Sequence, residues 1–404
     1  MRMKPISTTL IHHPYEAPGG FESPALGVFK ASTVFFPSVA AMRSRQWKDK
    51  TAYTYGLHGT PTTYALEERL CSLEGGLQCV LAPSGLSAIA LVALALLQSG
   101  DEVLLPDNCY EPNKTLVEGE FVGWGVRHRF YNPMDPQDLK SKLSSATRLV
   151  WLEAPGSVTL EFPDLAELTR ICKQHGALVA LDNTWGAGIA FTPFDLSPGT
   201  PCAVDISIQA LTKYPSGGGD VLMGSVITRD ADLHMRIKLC HMRMGLNVGA
   251  NDAELVLRGL PSITMRYHAQ DQSTRALAAW CQTQAAFVQV LHPALSASPG
   301  HAHWQRLCAS DGFGAAACLF SVVIDPSYIQ DQVDAFCDSL HLFRLGYSWA
   351  GPVSLVVPYN LKRTRRTWPA GIARGTLVRF AVGFEAPEDL QADITQALSA
   401  LASP

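Results

Sequence analysis

From about residue 60 onward, two kinds of hydrophobic pattern alternate along the chain. Short runs that are apolar at almost every position occur at 78–83, 101–106, 148–153 and 177–183. Segments with helical spacing lie between them at 62–76, 87–98 and 164–175. Strands that are apolar on both faces and alternate with helices predict an α/β fold with a mainly parallel sheet.

After about residue 247 the pattern changes. A long helical region is predicted, followed by strands and one more helix, at 252–290, 319–325, 330–340 and 376–383. This mixture predicts a smaller C-terminal α+β domain. The first residues are weakly periodic and rich in Pro, Gly and aromatics, which predicts an extended arm lying on a neighbouring subunit. The predicted domains are the arm, a cofactor-binding α/β domain and the C-terminal domain, at 1–58, 59–247 and 248–404.

Composition narrows the function classes. The 404 residues carry a net charge of -4, which gives no electrostatic reason to expect nucleic acid or an anionic membrane as partner. The longest apolar run, 89–97, is too short to cross a bilayer, and the N-terminus lacks a signal-peptide core. Ten cysteines occur without any Cys-x-x-Cys pair, which favours buried thiols in a reducing compartment. We therefore expect a soluble cytoplasmic protein.

Two apolar runs are followed or ended by ionisable residues that could take part in catalysis. Lys213 follows one run in SIQALTKYPSGGGD, and Asp182 ends another in LDNTWGAG. A lysine at a buried strand end is costly unless the amine is held or used. Asp182 has a simpler alternative role as a cap for the segment that follows. Pyridoxal 5'-phosphate needs a Schiff-base lysine and an anionic partner for its ring nitrogen, so the pair predicts a site for this cofactor.

Two further loops fit such a site. Gly85 and Leu86 lie between a predicted strand and an apolar helix, where backbone N–H groups favour an anion. Many such turns bind nothing, and only the combination with the lysine and aspartate predicts a phosphate cup. Tyr110 follows the run at 101–106, on the sheet edge where ligands of open α/β sheets collect. On its own, Tyr110 would be interpreted as a surface packing residue.

These motifs resemble the pyridoxal-phosphate enzymes of cysteine and methionine metabolism and, within them, the cystathionine β-lyases. The resemblance covers nearly the whole chain, in family order, through YTYGLHGTPTTYALEERLCSLEGG, PSGLSAI, CYEPN, EAPGS, LDNTWGAG, SIQALTKY, HPAL, YSWAGPVSL and GTLVRFAVGFE. It implies the aspartate-aminotransferase type of fold (fold type I), and a homotetramer whose active sites are built by pairs of subunits.

Residue by residue, the resemblance implies that Lys213 forms the Schiff base, Asp182 pairs with the ring nitrogen and Tyr110 stacks on the ring. These three are the expected catalytic residues. The resemblance gives the phosphate contacts to the amides of Gly85 and Leu86, the hydroxyls of Ser207 and Thr212, and Tyr55 reaching into a neighbouring subunit. It gives the substrate contacts to Arg379 and Ser348 at the α-carboxylate, with Tyr347, Trp349, Tyr110 and Tyr55 around them.

The sequence departs from the family at two places. Leu57 stands where an arginine usually braces the phosphate, and His58 is the candidate substitute, although imidazole lacks the planar fork of arginine. We therefore expect cofactor affinity to be weaker or pH dependent. The usual Gly-His-Ser-Asp after the lysine is replaced by Gly217–Gly219 and Asp220.

The resemblance implies β-elimination of L-cystathionine to homocysteine, pyruvate and ammonia. Tyr347, Ser348, Trp349 and Gln209 match the β-lyase pattern. Cleavage of alkyl-cysteine, cystine or another cysteine S-conjugate would use the same residues. A γ-eliminating or γ-replacing relative needs a second proton removal at Cβ and a differently shaped pocket.

Two other functions compete with an enzyme of this kind, and one further local feature has its own interpretation. A regulatory binding protein with this fold would be expected to have lost Lys213 or Asp182, and both are present. A metalloenzyme could use His12-His13 or His301 with His303, but neither pair has an acidic third ligand nearby, so surface histidines explain them better. The basic run at 362–366 predicts a solvated loop, with contact to substrate or to another subunit as the alternative.

Overall fold

A computed structural model describes residues 20, 23–44, 50–197, 201–310, 312 and 314–401. Its strands are β1 to β12, at Gln78–Ala82, Glu102–Pro106, Arg127–Tyr131, Thr147–Glu153, Leu178–Asp182, Ile206–Ala210, Gly224–Thr228, Phe287–Leu291, Leu319–Ile324, Arg344–Leu345, Leu355–Tyr359 and Thr376–Ala381. Its helices are α1 to α13, at Val39–Ser44, Pro61–Glu74, Gly85–Leu96, Glu111–Leu116, Pro136–Lys142, Leu165–His175, Ala231–Met244, Ala250–Gly259, Ile263–Cys281, His301–Cys308, Gln330–Asp338, Leu361–Thr364 and Pro387–Leu401.

The larger sheet has seven strands in the order β1-β7-β6-β5-β4-β2-β3. Strands β3, β2, β4, β5 and β6 are parallel to one another, and β7 runs antiparallel to both of its neighbours, β1 and β6. Its central strands are almost fully buried, because helices cover both faces. The predicted mainly parallel α/β sheet is confirmed.

Local sequence explains where the helices of this domain begin and end. The Thr60 hydroxyl accepts a hydrogen bond from the Thr63 amide, and Gly75 ends α2 in the left-handed conformation. The cap is therefore Thr60, two residues before the predicted start of this helix. Similarly, the Asp164 carboxylate accepts from the Glu167 amide and starts α6.

The second sheet has five strands in the order β10-β11-β12-β9-β8 and is mostly antiparallel. Phe320 and Phe380 stack in its core with ring centroids 5.0 Å apart. The predicted continuous helical region over 252–290 is wrong. The structure has two helices joined by a 3-10 turn at Leu260–Ser262, where Pro261 removes a backbone donor. The end of the segment forms β8 instead of helix.

Apolar side chains of the N-terminal region are exposed in this chain. Leu26, Phe29 and Val39 are each about half exposed, and Phe35 is 95% exposed. His12 and His13 lie outside the described residues. Among the helices that the structure describes, none has the length and apolar character that a membrane span requires.

Candidate active site

A cleft of about 1200 Å³ lies at the carboxyl ends of the parallel strands, with walls from both halves of the chain. Asp182 is the last residue of β5, and Lys213 follows β6 by three residues. Ser348 and Arg379 reach the cleft from the C-terminal half. The topology therefore brings distant segments to the sheet edge where open α/β folds bind ligands.

Lys213 is the central cation of the cleft. Its amine donates to the Ser348 hydroxyl oxygen at 2.8 Å and lies 5.5 Å from the centroid of the Trp349 ring. Burial is the main reason that the pKa of Lys213 falls to about 8, and the nearby charge of Arg379 lowers it further. A neutral amine at this position can act as a base near neutral pH.

Asp182 faces the cleft with one oxygen already bound. Its Oδ1 accepts from the Thr184 backbone amide at 3.0 Å and from the Thr184 hydroxyl at 2.5 Å. Burial raises the pKa of Asp182, while the hydrogen bonds from Thr184 and the charge of Lys213 oppose that rise. The sequence interpretation missed Thr184. An Asp followed two residues later by Thr is the pattern of a local turn of this kind, and could have identified it.

The start of α3 has the properties of an anion cup. Gly85 and Leu86 are the first residues of this helix, so helix geometry gives their amides no intrahelical partner. A Cβ at Gly85 would lie 2.7 Å from the Cβ of Ala210, so only glycine fits so close to the end of β6. Thr212 also lines the cleft, and its hydroxyl accepts from the Met223 amide at 3.3 Å. This cradle fits a phosphate group.

The expectation for Ser207 is contradicted by the geometry. Its hydroxyl donates to Glu74 Oε1 at 3.0 Å, and the residue does not line the cleft. Side chains alternate along a strand, so Ser207 and Ala210, three positions apart, point to opposite faces of β6. Ala210 is the residue that lines the cleft.

Aromatic side chains form the rim of the cleft. Tyr110 is 41% exposed and Tyr347 is 84% exposed, whereas Trp349 is partly buried and packs edge-on against Tyr214. The Tyr110 backbone amide donates to Glu153 Oε2 at 2.8 Å, and Glu153 pairs with Asp182 in the sheet register. The sequence interpretation did not assign a role to Glu153, which fixes the start of the Tyr110 loop.

Arg379 provides a second cation at the other side of the cleft. It is 94% buried in β12, donates to the Ser157 carbonyl oxygen at 3.4 Å and lies over the Tyr359 ring at 5.3 Å. No carboxylate of the described residues forms an ion pair with it. A buried guanidinium without a carboxylate partner is a strong binding site for a substrate carboxylate.

The two departures from the family pattern lie in different places. Tyr55, Leu57 and His58 are absent from the lining of this chain's own cleft. His58 Nδ1 is instead within 2.8 Å of the Thr54 hydroxyl. Gly219 does line the cleft, and Gly217 and Gly219 both have positive φ, at 69° and 74°.

The basic run at 362–366 is only partly the solvated loop that we predicted. Arg365 is buried and binds two carboxylates, Asp107 at 3.1 Å and Glu161 at 3.0 Å. Arg366 matches the expectation of an exposed side chain, pairing with Glu118 at the surface. A basic residue in such a run is buried where acidic partners on another segment face it, which the local pattern does not reveal.

The histidine pair near residue 300 contacts other protein groups, and His303 has an acidic neighbour in space that the sequence did not place near it. His301 Nδ1 contacts the Pro293 carbonyl oxygen at 2.9 Å, and His303 lies beside Asp164 and Arg306. Within the described parts of the chain, no group of three His, Cys, Asp or Glu side chains could hold a metal ion.

Comparison with known proteins identifies the family. The family model described as "Cys/Met metabolism PLP-dependent enzyme" matches residues 7–399. The chain belongs to this family. Pyridoxal 5'-phosphate is therefore its cofactor, and the cleft residues fit that group through the Gly85 cradle, the Lys213 amine and the Asp182 carboxylate.

Similar relatives have several named activities. A cystathionine β-lyase from Bordetella avium is 36% identical over 96% of this chain and 96% of its own. An L-alanine/L-glutamate racemase from Wolbachia pipientis is 30% identical over 86% and 83%. A solved structure of cystathionine γ-synthase from Xanthomonas oryzae pv. oryzae has a TM-score of 0.82 and 30% identity, with 94% and 93% covered. The fold type I assignment is confirmed.

Proposed function

We propose that this enzyme is a pyridoxal-phosphate-dependent carbon–sulfur β-lyase that cleaves cysteine thioethers, L-cystathionine first among them. The observation that carries the proposal is the Lys213 amine, held by Ser348 and Trp349 in a cleft that also contains Asp182 and Arg379. The named activity of the Bordetella avium relative supports the same reaction.

Substrate binding follows from the unpaired cation. Arg379 binds the α-carboxylate through its planar guanidinium, and Ser348 adds a hydroxyl donor from the same wall. Ser348 already accepts from Lys213, so its own proton is free to point toward the substrate. The two residues thus fix the Cα–H bond of the substrate near the Lys213 amine.

Proton transfer follows from the lowered pKa of Lys213. The neutral Lys213 amine removes the proton from Cα and then delivers it to the departing sulfur. Asp182, as a carboxylate, holds a proton on the ring nitrogen of the cofactor. When bound, the cofactor supplies the electron sink for the charge that develops at Cα. The thiol leaves from Cβ, and hydrolysis of the remaining three-carbon fragment by one water gives pyruvate from its carbons and ammonia from its amino group.

Product analysis with L-cystathionine tests the proposal. We expect pyruvate and homocysteine in equal amounts, and no product from Lys213→Met protein. Formation of 2-oxobutyrate and cysteine would assign γ-elimination instead. S-alkyl-cysteines and cystine, assayed in parallel for pyruvate, rank the thioethers that the cleft accepts.

Racemisation is a second candidate activity, because the Wolbachia pipientis relative is named for it. The chemistry shares its first step with elimination: Lys213 removes the Cα proton, and a proton then returns to the opposite face. The Tyr110 hydroxyl lines the cleft and is a candidate donor there. Incubation of L-alanine and L-glutamate, followed by chiral chromatography, would reveal D-isomers if this activity exists.

We also propose that the enzyme works in the cytoplasm as a homotetramer. All ten cysteines are free thiols, which fits a reducing compartment. The exposed apolar side chains of residues 26–42 fit a surface that another subunit covers. Tyr55 would then reach the phosphate of the neighbouring subunit. Analytical ultracentrifugation across a dilution series tests the assembly.

A further inference from the structure

A buried glutamine on helix α9 contacts the wall of the cleft from the outside. Gln270 is fully buried and does not line the cleft. Its side-chain nitrogen donates to two backbone carbonyl oxygens, that of Gly351 at 3.0 Å and that of Val382 at 2.9 Å. Gly351 belongs to the loop between β10 and β11, and Val382 directly follows β12. One amide group therefore joins two segments of the cleft wall.

The two joined segments carry the proposed contacts to the substrate α-carboxylate. Ser348 lies three residues before Gly351, and its side chain is part of the cleft wall. Arg379 lies three residues before Val382 and is part of the same wall. A carboxylate that is bound by both side chains needs them at a fixed separation. The two hydrogen bonds from Gln270 fix the segments that set this separation.

The loop adopts a conformation that its surroundings have to hold. Ala350 has a φ of 64°, in the left-handed region that is unfavourable for a residue with a Cβ, and it is buried. Gln270 binds the loop at the next residue, Gly351. The Phe384 amide donates to the Pro352 carbonyl oxygen at 2.9 Å, which pairs the two segments on the side away from the substrate contacts. Gln270 therefore acts on the part of the loop that faces the cleft.

The geometry explains why this position needs an amide nitrogen. Both groups that face it are carbonyl oxygens, which only a donor can satisfy. Gln270 Oε1 is buried without a partner among the described residues, which is unfavourable. An apolar side chain would avoid that cost, so the two donated hydrogen bonds are what the glutamine contributes.

We propose that Gln270 is a positioning residue for recognition of the substrate α-carboxylate. It holds the loop that carries Ser348 at a fixed distance from the strand that carries Arg379, and it touches neither substrate nor cofactor. Without its two hydrogen bonds the loop shifts relative to Arg379, and the carboxylate no longer meets both partners in good geometry. The inference rests on the proposed function, since it assumes an amino-acid substrate bound at Arg379.

The test is a binding titration of purified holoenzyme with L-alanine, followed by the cofactor's visible absorbance. L-Alanine has the α-carboxylate but no group that can be eliminated from Cβ. Gln270→Met keeps the length of the side chain and removes both donors. We expect the dissociation constant to rise about tenfold, because two neutral hydrogen bonds that fix the site are lost. Gln272→Met, the same substitution at an exposed position of α9, is the matched control and should leave it unchanged.

A second probe separates positioning from a general loosening of the cleft. Ethylamine is L-alanine without its carboxylate, so we expect it to bind equally well to the parent protein and to Gln270→Met. An equal loss of affinity for both probes would overturn the inference. With L-cystathionine as substrate, KM should rise about tenfold while kcat changes by less than about threefold, as expected when binding of the carboxylate is weakened throughout the reaction.

A second variant covers the case in which Gln270→Met does not fold. In Gln270→Glu a buried, neutral carboxyl group has one donor and can satisfy only one of the two carbonyl oxygens, so we expect a smaller rise of about threefold. A folded variant of either kind that binds L-alanine as tightly as the parent would contradict the role of Gln270. A parent holoenzyme whose absorbance does not respond to L-alanine, and which forms no pyruvate from thioethers, would instead overturn the proposed function.

Discussion

Two groups of charges in the same cleft are arranged in opposite ways. Arg379 is a buried cation and Lys213 a partly buried one, and neither forms an ion pair with a carboxylate of the described residues. Asp182 is held by Thr184 instead of by a cation. Arg365, in contrast, lies between the carboxylates of Asp107 and Glu161. A matched buried charge stays inert, whereas an unmatched one shifts its pKa or attracts a ligand.

The difference suggests two roles: the unmatched charges serve binding and catalysis, and the matched network around Arg365 stabilises the fold. Arg365 also donates to the Thr159 hydroxyl at 3.1 Å, and Asn108 donates to Glu161 at 2.9 Å, so this network ties a C-terminal segment to the loops beside Tyr110. The unmatched group has few such ties and faces the cleft. If this division is correct, equivalent substitutions in the two groups should have opposite consequences.

The largest expected effect is on activity. Lys213→Met removes the base and the cofactor link, so we expect kcat/KM with L-cystathionine to fall by about a thousandfold or more, with loss of the visible absorbance. Lys140→Met, at an exposed position of α5, is the matched control and should leave both unchanged. If Lys213→Met kept its activity, the unmatched charges could not be assigned to catalysis.

The next effect is on stability in the matched group. Arg365→Met leaves Asp107 and Glu161 buried without their cation, so we expect the free energy of unfolding to fall by about 3–5 kcal/mol. Urea denaturation followed by circular dichroism measures it. The double variant with Glu161→Met should recover part of the loss, since it removes one of the stranded charges. An Arg365→Met protein as stable as the parent would show that the network is not a scaffold.

The third and smallest effect is on how the stability of the apoprotein depends on pH. The pKa of Lys213 is lowered from its ordinary 10.5 to about 8 in the folded apoprotein. The folded state therefore gains stability as pH rises from 8 to 10.5 and loses it as pH falls through 8. We expect Lys213→Met to remove this slope and to stabilise the apoprotein at pH 7 by about 3 kcal/mol. Parallel stability curves of the two proteins against pH would contradict it.

Sequence patterns predicted the fold well where burial was continuous along the strand. The apolar runs at 78–83 and 177–183 became β1 and β5 because both faces of those strands are covered. The segment 252–290 was misinterpreted because apolar spacing in its last residues also fits a buried strand, and the pairing with β9 decides the outcome.

The site shows a similar division. Lys213, Asp182, Tyr110, Ser348 and Arg379 do line one cleft, as the resemblance implied. Their proposed roles remain predictions. The assignment of Ser207 failed because the direction of a side chain depends on the parity of its position in a strand. The sequence also did not reveal partners such as Thr184 and Glu161, since hydrogen bonds and ion pairs between distant segments leave no local pattern.

The close approach of Gly85 to Ala210 has a practical consequence for anyone who wishes to alter this enzyme. One methyl group added at residue 85 would overlap the Ala210 methyl carbon. The phosphate cup would then have to move away from the strand that leads to Lys213. Libraries aimed at a larger or differently charged cofactor analogue should therefore keep this small pair fixed and vary the rim. Clones that change residue 85 are expected to drop out of such a selection first.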